Sequence, residues 1–514
     1  MAALADRHGV ARWYRGVNGA RVAASADTLV GVLRALGVDT SGRDWIAHES
    51  RRLDAARAAQ LVEPVVVAWD GLLPRGAWAP DARASLRLED GARVTPGTAA
   101  LPSGYHTLEV ERASRSAEAL VISAPRLAWS PAQRTRHRGV YAPLYALHRT
   151  GNYGPGDLSD LEALLDWVAA HGGDTVLTLP LLASFLDPPA EPSPYSPVSR
   201  LMWNELYAVL PRRSVPAAAE GLLDYDAAAA ATRDALGTFV QGVDRDAAAR
   251  ADVEAFLAAR PDVVDYARFR AAGERHGRNW RVWPARLRNG PIGATDIDAG
   301  AARYHEVAQW LMEAQLGALA ARARRAGRLL GLDLALGTHP DGYDVWRHRD
   351  DFAHAASVGA PPDLFFVGGQ GWGFPPLLPA AARAAGHRYF RAALRHHLRH
   401  AGLLRLDHVM SLHRLYWIPP GATPAEGAYV RYPGDELFAI ITLESHRAGA
   451  VIVAENLGVV PAITNQALQR HGLLGTWVGQ WAIETLAHAA AFDRPPRRSL
   501  ASLNTHDMPT LRGF

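Results

Sequence analysis

Three acidic residues stand where a carboxylate is costly unless it works. Asp407 follows the apolar run Leu403-Leu404-Arg405-Leu406. Glu455 follows Val451-Ile452-Val453-Ala454, and Asp507 ends Ser502-Leu503-Asn504-Thr505-His506. A charge placed directly after a buried strand is unfavourable unless it is paired or functional. A single case reads as a rim salt bridge or helix cap, whereas three at the same end of successive strands read as a site. The intervals are 48 and 52 residues. The first fits one strand–helix repeat and the second about two, with a further strand near Leu474–Val478. Two carboxylates facing one bond suit glycoside chemistry: one attacks the anomeric carbon while the other protonates the leaving oxygen. Arg405 lies two residues before Asp407, on the same side of its strand, and would keep Asp407 ionised. His506 and Asp507 would hold sugar hydroxyls as the ring flattens.

Composition removes most alternatives to carboxylate chemistry. The chain has 514 residues and no cysteine, which excludes disulfide frameworks, thiolate metal sites and a cysteine nucleophile. All 55 basic residues are arginine, so lysine Schiff bases and Walker lysines are excluded as well. Against 52 acidic residues the net charge is only +3. The basic isoelectric point therefore reflects arginine usage and does not indicate a nucleic-acid partner. No leader-like apolar region opens the chain, and no run approaches the ~20 apolar residues that span a bilayer. The expectation is a soluble, cytoplasmic protein without membrane or nucleic-acid partners.

The elements that must position these residues fall into three stretches. Residues 1–60 read as helical, with apolar spacing from Asp27 to Leu36 that stops at Gly37. Residues 61–130 carry short alternating runs separated by Gly and Pro, such as Thr107-Leu108-Glu109-Val110-Glu111, and predict a β-sandwich-like domain. Ser130 to Arg138 reads as a linker. From residue 139 to 514, apolar strands alternate with amphipathic helices. The strands are Val140–Leu147, Thr175–Leu182, Leu329–Leu336, Leu403–Val409, Ala450–Ala454 and Leu500–Leu503, and Asp160–Ala170 and Gln309–Arg325 are among the helices. That order predicts an α/β fold, a (β/α)8 TIM barrel, with a doubly wound sheet as the competing layout. Residues 184–327, with Ala-rich segments, read as a helical insertion.

Seven short motifs occur in order along this part: Gly154-Pro155-Gly156-Asp157, Ser193-Pro194-Tyr195-Ser196-Pro197, Gly359-Ala360-Pro361-Pro362-Asp363, Gly369-Gln370-Gly371-Trp372-Gly373, Arg405-Leu406-Asp407-His408, Glu455-Asn456-Leu457-Gly458 and Thr505-His506-Asp507-Met508-Pro509-Thr510. Together they resemble the 4-α-glucanotransferases, also called amylomaltases or disproportionating enzymes, of glycoside hydrolase family 77. The helix and β-rich stretch ahead of them is similar to the extension of the longer bacterial members. The resemblance implies transfer of α-1,4-glucan segments to the 4-hydroxyl of an acceptor glucan or glucose, within starch, glycogen or maltodextrin metabolism. It implies a retaining mechanism with Asp407 as nucleophile, Glu455 as acid and then base, and Asp507 as transition-state stabiliser. Tyr195, Asp363, Phe365, Trp372, Arg405, His408, Asn456 and His506 then become substrate-binding residues. Residues 363–366 become part of a loop over the groove, and no metal or organic cofactor is needed. Three departures stand out: Asn456 replaces the usual aspartate after the acid/base, Gly342 and Tyr343 are atypical in the segment Thr338–Asp344, and Leu364 stands where many relatives carry an aromatic.

Rival readings are weaker. Gly369–Gly373 runs into Phe374-Pro375-Pro376 and does not open a helix, which argues against a phosphate loop. His396 and His400 have the spacing of a metal pair but no accompanying Glu-x-x-His, so a solvated helix face is expected there. Trp203 and Tyr207 are expected to pack. Amylase-type hydrolysis and a non-catalytic glycan-binding role remain as alternatives. Only seven barrel strands can be counted before the last residue, so the barrel is expected to be truncated and the chain poorly stable and weakly active alone.

Overall fold

The structure, a computed structural model, describes the chain except residues 17, 133–135, 150–153, 212, 214, 216–221, 364–365, 485–493, 510–512 and 514, and the side chains of 482 and 484. The residues form two compact units. One holds Met1–Ser130, Asp350–Leu394 and Leu406–Phe514, and the other Pro131–Arg349 and Arg395–Arg405.

In the first unit, the helix Ala26–Ala35 begins where the Ser25 hydroxyl accepts the Thr28 N–H at 3.0 Å, and it buries Leu29, Val32 and Leu33. A five-stranded sheet follows in the order Val65–Trp69, Arg115–Ala124, Gly104–Arg112, Arg83–Arg87, Arg93–Val94. Only its first pair is parallel. Alternation along the strands puts Leu86, Leu108, Val110, Ala119 and Val121 into one core. The helix Gly434–Ala448 packs against Val65–Trp69 and Arg115–Ala124. A four-stranded antiparallel sheet, ordered Gln370–Gly371, Ser357–Ala360, Arg414–Ile418, Ala428–Arg431, lies in the same unit. There too are the parallel pair Gly475–Val478 and Ser499–Ser502, and the strand Val451–Ala454, which bridges to Leu474 in parallel.

The second unit carries a parallel row in which Gly139–Tyr141 pairs with Thr175–Leu177 and Thr175–Leu177 with Leu329–Leu334, while the start of Leu403–Leu406 lies beside Leu329–Leu334. The helices Leu158–Ala170 and Ala299–Arg325 return the chain between these strands. Tyr225–Arg245, Ala247–Ala259 and Pro261–His276 fill the long gap before the second of them. This alternation of buried parallel strands and covering helices is that of a (β/α) barrel. Among the described residues neither unit closes a ring of strands.

Most strands are shorter than the apolar runs suggest. The run Leu403–Val409 is a strand only to Leu406, because His408 adopts a left-handed conformation (φ 46°) and Val409–Leu412 forms a 3-10 turn. Gly154-Pro155-Gly156-Asp157 has a structural role: Asp157 caps Leu158–Ala170 in a capping box with Asp160. A side chain on Gly156 would collide with the Leu144 carbonyl oxygen. The expectation of a solvated face at His396 and His400 is corrected. His396, His397 and His400 are buried, and His396 stacks on the fully buried Trp203 at 3.9 Å between ring centroids. Trp203 and Tyr207 pack as expected. No helix among the described residues is long and apolar enough to cross a membrane.

Candidate active site

Two of the three acids meet through the backbone of their strands. The Glu455 N–H donates to the Leu406 carbonyl at 3.0 Å, and the Val409 N–H donates to the Glu455 carbonyl at 2.9 Å. Asp407 and Glu455 therefore leave the same end of neighbouring chain segments. The Glu455 carboxylate is buried and held from both sides. Its Oε2 accepts the His408 N–H at 2.9 Å and its Oε1 the Leu457 N–H at 2.6 Å. The left-handed turn at His408 aims that N–H back at Glu455 and tips the imidazole toward Trp372, whose ring lies edge-to-face at 5.1 Å. Desolvation pushes His408 down to about 4, outweighing the raising pull of Asp407, and Arg414 pushes it further down. A neutral imidazole thus stands beside the nucleophile candidate at neutral pH.

Trp372 is fixed where its backbone N–H donates to the Val358 carbonyl at 2.9 Å, and its ring stacks with Phe374. Asp363 closes its own loop: its Oδ1 accepts the Phe366 N–H at 2.6 Å and its N–H donates to the Phe366 carbonyl. Phe365 and Leu364, between them, lie outside the described residues, as does Thr510. The Asn456 side-chain oxygen accepts the Thr476 N–H at 2.8 Å and its amide donates to Asn465 at 3.0 Å. Asp507 is exposed, with His506 Nε2 at 3.1 Å from its Oδ1.

In the second unit the sequence reading missed a residue. Asp333, near the end of Leu329–Leu334, is almost fully buried, and its Oδ2 accepts both the Arg405 guanidinium and the Tyr195 hydroxyl at 2.7 Å. Arg405 also lies 3.3 Å from the Tyr195 hydroxyl. Asp333 thus fixes two of the expected binding residues at once. It escaped notice because Gly331-Leu332-Asp333-Leu334 reads as an apolar strand, although an acid inside such a run is the same signal that marked Asp407. The loop of Tyr195 is laced to the atypical segment after that strand: Thr338 Oγ1 and the His339 N–H both donate to the Pro197 carbonyl, at 2.8 and 2.7 Å. Buried Asp344 accepts the Ser199 hydroxyl at 2.6 Å and the Arg200 N–H at 2.7 Å.

A parallel α/β architecture that presents carboxylates at strand ends, with an aromatic ring beside them, suits the class of barrel enzymes that act on glycosidic bonds. The 4-alpha-glucanotransferase model of glycoside hydrolase family 77 matches residues 142–514. The 4-alpha-glucanotransferase of Mycobacterium tuberculosis is 35% identical across 100% of this chain and 80% of its own length. That of Haemophilus influenzae is 30% identical across 80% of this chain and 65% of its own. Among solved structures, amylomaltase from Corynebacterium glutamicum superposes with a TM-score of 0.82 at 30% identity, covering 99% of this chain and 79% of that one. The chain belongs to glycoside hydrolase family 77 and is a 4-α-glucanotransferase acting on α-1,4-glucans.

Proposed function

We propose that the chain transfers maltooligosaccharyl segments by retaining double displacement, with Asp407 as nucleophile and Glu455 as acid and then base. The observation that carries this reading is the backbone bond from Glu455 to Leu406, which brings both carboxylates out at one end of adjacent segments. Asp407 attacks the anomeric carbon while Glu455 protonates the departing glycosidic oxygen. Glu455 then takes the proton from the 4-hydroxyl of an acceptor glucan or glucose, which displaces Asp407. Asp507 stabilises the flattened sugar and His506 binds its hydroxyls. Arg405 and Tyr195, tied to Asp333, bind the glucan, and so does Trp372, beside His408, since an aromatic ring suits the apolar face of a sugar. Asp363 belongs to the loop over it, and His408 supports Glu455 through its backbone N–H.

Incubation with maltotriose alone tests this. Transfer gives a ladder of longer and shorter oligomers, and Asp407→Asn abolishes it. Glucose and maltose with no longer product, or an active Asp407→Asn protein, would refute the assignment.

A further inference from the structure

The N-terminal sheet does more than precede the catalytic part. Its exit segment, residues 126–129, is tied to the ends of the two helices on either side of the strand Val451–Ala454. At the end of Ala462–His471, the Ala128 N–H donates to the His471 carbonyl at 2.8 Å, and the His471 ring bonds the Arg126 carbonyl at 2.9 Å. That imidazole is sandwiched between Trp69 and Phe438, at 4.5 and 5.1 Å between ring centroids. At the end of Gly434–Ala448, His446 bonds the Leu127 carbonyl at 2.9 Å. The Trp129 N–H donates to the Ser445 hydroxyl at 2.9 Å, and that hydroxyl donates onward to the Ala450 carbonyl at 2.8 Å.

Ser445 is fully buried, and Ala450 is the residue immediately before the strand Val451–Ala454, which leads into Glu455. Gly449, in the left-handed conformation (φ 62°), makes the sharp turn that lets Ser445 reach it. Higher on the same helix, buried Glu444 accepts the Tyr105 hydroxyl at 2.7 Å, and the guanidinium groups of Arg391 and Arg447 lie 4.0 and 5.0 Å from the Tyr105 ring centre. Trp69 bonds Asp435 at 3.1 Å. The sheet therefore grips the helix along its length and, through one hydroxyl, the root of the strand.

We propose that the N-terminal sheet is a positioning element of the reaction: through Ser445 and Tyr105 it sets the position of Val451–Ala454 along its axis, and hence that of the Glu455 carboxyl group. The proposal rests on Glu455 being the acid, as assigned above. A strand carries about 3.3 Å per residue, so a fraction of one residue's slip takes a carboxyl group out of hydrogen-bond reach of the leaving oxygen. Ser445 and Tyr105 touch no substrate; they act through the helix and strand.

The test separates proton delivery from general damage by changing the leaving group. Maltotriose needs its glycosidic oxygen protonated, whereas the fluoride of α-maltosyl fluoride departs with little help. Ser445→Ala and Tyr105→Phe are compared with wild type for kcat and KM on maltotriose and for first-turnover fluoride release, at a temperature where circular dichroism shows all proteins folded. Leu86→Ala, in the sheet core, is the control for loosening the sheet away from the helix. The expected result is a loss of about five-fold or more in kcat on maltotriose with KM unchanged, and less than about two-fold in fluoride release, a part of the ~10²-fold that acid catalysis supplies. The control lowers the melting temperature and leaves the ratio of the two rates as in wild type. Equal losses on both donors, no loss on either, or the same ratio change in Leu86→Ala would overturn the proposal. Glu455→Gln is run alongside: if it treats the two donors alike, the acid assignment itself fails, whatever Ser445 shows.

Discussion

Asp333 is the residue on which two candidate binding residues of the second unit, Arg405 and Tyr195, depend. Its carboxylate is the shared acceptor of Arg405 and Tyr195, and both it and Arg405 are buried. Removing one partner of a buried pair leaves an uncompensated charge, which costs about 3 kcal/mol or more. Asp333→Asn keeps the shape and removes the charge. It is expected to lower kcat/KM on maltotriose by at least about 100-fold, the rate equivalent of that energy, with a lower melting temperature. Wild-type kcat/KM in this variant would show that Arg405 and Tyr195 hold their places without it. Asp407 and Glu455 stand out in the sequence because each acid ends an apolar run. Asp333 does not, because Leu334, Ala335 and Leu336 carry the run past it. The structural work of Asp157 and Asp344, a helix cap and a loop anchor, was equally hidden, since the partners of Asp344 lie far away in sequence.

The segment 395–400 shows how an element misleads when its partners are distant. His396 and His400 read as part of a solvated helix face, yet both are buried, as is His397 between them. Trp203 supplies the stacking surface. Glu313 accepts His400 at 3.0 Å and the Trp203 indole at 2.9 Å, with Arg399 at 3.4 Å. Desolvation first, then the neighbouring charges of His397, Arg399, Arg260 and His400, hold His396 well below its ordinary value. Glu313 is held at about 2: burial alone would raise it, but His400, Arg399 and Trp203 outweigh that. The unfolded chain therefore binds a proton at His396 below about pH 6.5 that the folded chain refuses, so stability falls as pH drops from there. The slope is about 1.4 kcal/mol per pH unit for one proton. The contribution of Glu313 is full above its unfolded value near 4.5 and is lost as pH falls from there toward 2. Urea unfolding at several pH values between 6.5 and 5 should show His396→Phe losing less stability per pH unit than wild type, by up to one proton's worth. Identical slopes would contradict this.

At the scale of the whole molecule, the alternation of strand and helix and the long helical insertion were readable from periodicity. Leu158–Ala170 starts two residues before the amphipathic run that announced it, whereas Ala299–Arg325 starts ten residues before its own. What periodicity does not carry is the linkage between distant stretches. Nothing in residues 126–129 announces that they bind the ends of Gly434–Ala448 and Ala462–His471. The absence of cysteine and lysine narrowed the chemistry to carboxylates, and Asp407 and Glu455 are the two that follow strands whose ends are joined by the Glu455–Leu406 and Val409–Glu455 backbone bonds. Trapping the covalent intermediate bears most directly on that pair. Glu455→Gln, given α-maltosyl fluoride, needs no acid to form the glycosyl-enzyme but lacks the base to discharge it quickly. Intact-mass spectrometry should show the protein heavier by one maltosyl group, with the label on the peptide containing Asp407. A label on another residue, or full maltotriose transfer by this variant with no adduct, would contradict the assignment of Asp407 and Glu455.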